Sequence, residues 1–205
     1  IAKDLKKLGI NMNCAPVLDV RYDFTNKIIG DRSFSSDPSI VSHLAKSFCI
    51  GHKKVGIIPI VKHIPGHGAA SQDSHKTTPI VNLDFNFLKN KDFLPFQRLK
   101  KESVAMVAHI IYKKIDNLVA PYSKKIIQKI IRKEIGFKGL LISDDINMKA
   151  LKGNIKKKIK MILNSGCEII LHCSGNLNEM MEIYSSIPSI KKNTLIKVSK
   201  MKYLK

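Results

Sequence analysis

Five short apolar runs, at residues 10–20, 56–63, 104–111, 140–143 and 168–173, each carry or close on polar, chemically able residues. These are Asp19, Lys62 with His63, His109, Asp144 and His172. Between the runs lie segments whose apolar residues recur at helical spacing. Examples are Ile40, Val41, Leu44, Ala45, Phe48 and Cys49, then Ile126, Ile127, Ile130 and Ile131. Strand followed by helix, repeated, selects a parallel sheet with crossover helices. Polar residues gathered just beyond the strands mark the face on which a (β/α)8 barrel carries its site. The expected fold is therefore α/β, an incomplete TIM barrel of about five β/α units, against eight in a full barrel of about 250 residues.

Local signals fit that order. Asp37 can cap a helix with Pro38 at its first position. Ser123 caps another, ended by Gly136, and further helices are expected at 1–8, 92–101, 155–164, 178–186 and 194–204. Neither a low-complexity linker nor a second domain is visible across residues 1–205.

The densest chemistry lies in residues 61–75, Val-Lys-His-Ile-Pro-Gly-His-Gly-Ala-Ala-Ser-Gln-Asp-Ser-His. Lys62 and His63 fall at the end of a strand, and Pro65, Gly66 and Gly68 then break regular structure. Asp73 and His75, spaced i, i+2, point to one side of an extended segment. A carboxylate there can fix the imidazole's tautomer and raise its basicity, which suits general acid/base work. His63 and His67 have the spacing of zinc ligands on a helix, but Pro65 and Gly66 disfavour a helix, and no metal is expected. Asp144 follows Leu140-Leu141-Ile142-Ser143, where a carboxylate can attack an electrophilic carbon or merely cap a helix. Arg32, in a polar loop, reads by itself as a solvated charge.

These stretches together resemble glycoside hydrolase family 3, nearest its bacterial β-N-acetylhexosaminidases of the NagZ type. Residues 62–75 are similar to the family's Lys-His-Phe-Pro-Gly-His-Gly…Asp-Ser-His, with Ile64 in place of Phe and 69–72 variable. Residues 139–148, Gly-Leu-Leu-Ile-Ser-Asp-Asp-Ile-Asn-Met, resemble Gly-x-x-x-Ser-Asp-Asp-Leu-x-Met; the Glu-Gly-Ala that usually follows is replaced at Lys149 and Ala150. Gly30-Asp31-Arg32-Ser33-Phe34 is similar to Gly-Glu-Arg-Ser-Phe.

The resemblance implies Asp144 as nucleophile, His75 as proton donor and acceptor, and Asp73 as the group orienting His75. It implies Arg32, Lys62 and His63 as sugar-binding residues. Asp19 is open to a supporting or a structural role, and His109 and Tyr112 are unassigned. The implied activity is a retaining exo-β-N-acetylglucosaminidase of cytoplasmic cell-wall recycling. Its substrate would be a muropeptide, N-acetylglucosamine linked to anhydro-N-acetylmuramic acid, handled by a monomer without cofactor.

The resemblance runs from about residue 10 onward and lacks the family's Asp-Gln-Glu-Gly-Gly-Arg segment. The chain is accordingly expected to be N-terminally truncated, the C-terminal portion of a single family 3 barrel domain. The rival expectation is an inactive remnant: five strands cannot close a barrel, so the end strands expose their edges and the inner faces lie open.

Lys and Arg number 36 and Asp and Glu 16, a formal charge of +20. Such a balance raises nucleic acid as a partner, but the lysines are scattered, aromatic interleaving is sparse, and no nucleic-acid motif is present. No run reaches the roughly 18 apolar residues of a membrane span. Cys14, Cys49, Cys167 and Cys173 form no Cys-x-x-Cys pair, as suits a reduced, cytoplasmic chain.

Overall fold

The structure, a computed structural model, describes residues 1–74 and 76–201. Five strands form one parallel sheet: β1 (Met12–Asn13), β2 (Ile58–Ile64), β4 (Val104–Val107), β6 (Leu140–Asp145) and β7 (Ile169–Leu171), side by side in that order. The sheet curls into an open section of a TIM barrel, the expected fold. Two further strands, β3 (Ile80–Val81) and β5 (Ile111–Tyr112), pair in parallel beside it.

Alternation along the strands splits the core in two. Val61, Ala105, Val107 and Leu141 pack with the helical layer: Val41, Ala45 and Cys49 of α2 (Pro38–Lys54), Ile126, Ile127, Ile130 and Ile131 of the helix Lys125–Glu134, and Ile159 and Ile162 of α5 (Ile155–Ser165). Ile58, Ile60, Val104, Met106, Leu140 and Ile142 turn to the opposite, inner face. That face was expected to lie open, and it does not. The last helix, α7 (Lys192–Ser199), crosses it, and Val198 and Met201 pack onto these residues. Thr194, Val198 and Met201 recur at i, i+4 and i+7, so one face of the segment turns inward. The other half of the expectation holds, since β1 and β7 are the two edges of the sheet.

Helix ends follow their caps. The Asp37 carboxylate accepts from the Ser39 N–H at 2.6 Å, and Asn154 accepts from the Lys157 N–H at 2.9 Å. Two segments depart from the sequence reading. The single helix at 92–101 is replaced by two short ones, α3 (Phe85–Asn90) and α4 (Leu94–Arg98), with Asp92 buried at the break. Pro95 has no N–H to bond back toward Lys91, so it starts a helix and cannot continue one. The segment Lys125–Glu134 is wound with five-residue spacing, ending with the Ile135 N–H donating to the Ile130 carbonyl at 2.8 Å. The first strand is also shorter than expected: past Asn13 the chain stays beside β2 through a bridge from Val17 to Lys62 and separate backbone bonds, such as the Ile60 N–H to the Ala15 carbonyl at 3.1 Å.

Candidate active site

The sheet order sets the site. β2, β4 and β6 are neighbours, so His63, His109 and Asp144 come to the carboxyl ends of three adjacent strands. Register aligns Lys62 with Met106 and Met106 with Ile142.

Asp19 is the anchor. It is fully buried, and its Oδ2 lies 2.7 Å from His63 Nδ1. Its Oδ1 accepts from the backbone N–H groups of His63, at 3.2 Å, and His67, at 2.6 Å. Burial pushes this carboxyl up, but the imidazoles of His63 and His67 and these bonds outweigh it, and the net shift is downward. An anionic Asp19 fixes the proton of His63 on Nδ1 and turns Nε2 toward Asp144, whose Oδ2 lies 3.9 Å away. That gap is too long for a hydrogen bond.

Asp144 is the last residue but one of β6, and its Oδ1 accepts from the Asp145 N–H at 2.8 Å. Burial raises its pKa, yet His63, His109, the Asp145 N–H and Lys62 together hold it below the ordinary carboxylate value. It is an anion kept ready beside imidazoles. Asp145 works on the backbone instead. Its Oδ1 takes the N–H groups of Asn147, at 3.1 Å, and Cys173, at 3.2 Å, tying the loop after β6 to the end of β7.

The loop after β2 folds over the strand ends. At Gly68 a Cβ would stand 1.7 Å from the Val20 carbonyl oxygen, so only glycine admits this approach. The His67 ring lies edge-on to that of His63, centroids 5.5 Å apart, and its Nε2 is 3.3 Å from Ser74 Oγ. Burial, then the nearby His63, pushes His67 down to about 4, so it is neutral. Behind the loop the Tyr22 hydroxyl donates to Asp92 Oδ2, and Lys91 Nζ sits 4.0 Å above the Tyr22 ring. Burial raises Asp92 to about 6 against that hydrogen bond.

Of the residues singled out in the sequence, Asp144, His63 and Lys62 come together. Asp73 is half-buried next to the buried Ser74, and its carbonyl accepts from the N–H groups of Lys76 and Thr77, both at 3.0 Å. His75 lies outside the described residues. Arg32 is exposed, and its Nε donates to the Ile28 carbonyl at 2.7 Å. Among the described residues no hydrogen bond or ion pair joins its side chain to the cluster. Its loop is nonetheless pinned there, through Ser33 Oγ donating to the Asp19 carbonyl at 2.7 Å and Thr25 Oγ1 to that of Gly68 at 2.7 Å.

The sequence marked His67 only for its spacing from His63, as in zinc ligands on a helix, and did not single out Asp92. The first sits inside the motif, where its ring is buried; the second follows Lys89-Asn90-Lys91, a stretch that looks like plain surface. No group of three or more metal-ligating side chains is disposed to hold an ion among the described residues. No described helix is long and apolar enough to cross a membrane.

A curled parallel sheet that gathers carboxylates and imidazoles at its strand ends has the layout of a TIM-barrel catalytic domain. The chain belongs to glycosyl hydrolase family 3: the model of that family's N terminal domain matches residues 1–202. Among curated relatives, a beta-hexosaminidase of Nitrosomonas eutropha is 36% identical over 85% of this chain and 51% of its own length. One from Idiomarina loihiensis is 34% identical over 98% of this chain and 61% of its own. The crystal structure of NagZ from Neisseria gonorrhoeae in complex with N-trifluoroacetyl-D-glucosamine superposes with a TM-score of 0.88 at 30% identity, covering 98% of this chain and 58% of that one. The chain spans about half the length of the curated relatives it matches.

Proposed function

We propose that this chain carries the nucleophile and the acid/base loop of a retaining exo-β-N-acetylglucosaminidase. The observation that carries the reading is Asp144: an anionic carboxylate at the end of β6, facing His63 Nε2 across 3.9 Å. In the first step an Asp144 oxygen bonds to C1 of the terminal sugar as the bond from C1 to the leaving oxygen breaks. His75, oriented by Asp73, gives that oxygen its proton. In the second step water attacks C1, His75 takes the water's proton, and the electron pair of the ester bond returns to Asp144. His63, Lys62 and Arg32 serve as sugar contacts. His63 and Asp144, 3.9 Å apart, can both bond to one hydroxyl placed beside them, and Arg32 would exchange its bond to Ile28 for one to the sugar.

The names of the relatives and the glucosamine derivative bound by the Neisseria protein support N-acetylglucosamine as the terminal sugar. By the same reading the natural substrate is a muropeptide of cytoplasmic cell-wall recycling, and the chain is the later portion of one barrel domain acting as a monomer.

The test uses the intact protein and an aryl β-N-acetylglucosaminide. Asp144→Ala should lower kcat by about a thousandfold or more, and Asp145→Ala by much less. A 5-fluoro glycosyl fluoride of N-acetylglucosamine should label the peptide at Asp144. A label on Asp145, or greater damage from its replacement, would overturn the assignment.

A further inference from the structure

Of the groups in this site that the proposed chemistry leaves unused, His109 is the one with both ring nitrogens unpaired among the described residues. It follows β4, the strand between those that bear His63 and Asp144, and its side chain is 1% exposed. Neither ring nitrogen has a hydrogen-bond partner among the described residues. A neutral imidazole carries one donor and one acceptor, and burying both unpaired is costly. A phenylalanine would fill the same space without that cost, so packing alone does not account for the residue.

Its neighbours say what the ring is for. Among charged groups Asp144 acts on His109 most strongly, followed by His63, His67 and Lys158. Burial drives His109 down to about 4. At neutral pH it therefore keeps one N–H to give and adds no fixed charge beside the nucleophile.

We infer that His109 is a positioning residue that donates its ring N–H to the Asp144 carboxylate as that carboxylate leaves C1. The inference rests on Asp144 being the nucleophile. In the resting protein one Asp144 oxygen is already served by the Asp145 N–H, and the other looks toward His63. In the glycosyl-enzyme one oxygen is esterified. The carboxyl group then takes the N–H of His109, whose strand β4 lies beside β6 and whose ring has no other hydrogen-bond partner among the described residues. As water bonds to C1 the ester bond breaks, its electron pair returns to Asp144, and the growing negative charge strengthens that hydrogen bond. The water's proton goes to His75, while His109 keeps its own throughout. A donor of this kind helps a carboxylate leave more than it helps it attack.

The experiment is steady-state and burst kinetics of His109→Phe in the intact protein with an aryl β-N-acetylglucosaminide. Phenylalanine keeps the ring and removes both nitrogens. Loss of the donor should slow deglycosylation about tenfold or more, so that kcat and KM fall together, kcat/KM changes little, and a burst of aryl alcohol appears. His109→Gln, which restores an N–H, should recover part of kcat and shrink the burst. A merely structural role would lower kcat/KM without a burst. Unchanged kinetics in both variants, or kcat/KM falling as far as kcat with no burst, would overturn the inference. If the unmodified protein forms no covalent adduct with the fluoro sugar, the nucleophile reading itself has failed, a result separate from either of these.

Discussion

At the scale of single residues, Asp92 makes the sharpest prediction. It is fully buried, it accepts from Tyr22, and burial raises its carboxyl from 3.8 to about 6. A pKa raised by folding means that the folded state prefers the protonated acid. The stability Asp92 contributes is thus complete below pH 3.8 and is lost as pH rises through 6. Two units correspond to at most about 3 kcal/mol. Asp92→Asn keeps an oxygen for Tyr22 and never ionises. Relative to the unmodified protein, it should gain stability between pH 4 and 6 and hold that gain above. Thermal unfolding at pH 4, 5, 6 and 7 measures it, and a constant difference across that range would contradict the account. The sequence could not supply this residue. Tyr22 and Asp92 are 70 positions apart, and their meeting is decided by how two loops fold behind β2. Asp144 and His63 were legible for the opposite reason: each ends an apolar run, and in a parallel sheet the ends of the runs converge.

At the scale of elements, two glycines in sequence neighbourhoods equally plain to read predict opposite outcomes. Gly51 lies within α2, where an added Cβ meets nothing within 4 Å. Gly51→Ala should stabilise the protein by about 1 kcal/mol, since alanine is the better helix former. At Gly68 an added Cβ would overlap the Val20 carbonyl. Gly68→Ala should cost about 2–4 kcal/mol and displace the loop that holds His67. Denaturant midpoints of the two variants compare them directly. The elements themselves were legible wherever apolar spacing decided them, as in α2, β2 and β6. They were less so where spacing is ambiguous. Ile126, Ile127, Ile130 and Ile131 fill one face of an α-helix, or equally one of five-residue winding, and only the hydrogen bonds distinguish the two.

At the scale of the whole molecule, the inner face of the sheet depends on the C-terminal segment. Met201 is buried against Ile58, Val104 and Leu140, whereas Lys200 beside it is exposed. Met201→Asp places an unpaired carboxylate on an apolar face. It should lower stability by about 3 kcal/mol and expose surface that binds a hydrophobic dye, while Lys200→Asp should do neither. Equal dye binding by both variants would mean that α7 does not cover that face. The formal charge of +20 acts at the same scale: its self-repulsion is screened by salt, so the thermal midpoint should rise between about 0.01 and 0.2 M ionic strength.

Asp19 decides how the site is held. One carboxylate takes the ring of His63, the backbone of His63 and the backbone of His67, and so binds a strand end and a loop at a single point. Two segments tied to one carboxylate share the consequence of losing it, so a change that removes Asp19 should disturb both histidines at once, and a probe on either ring would report it.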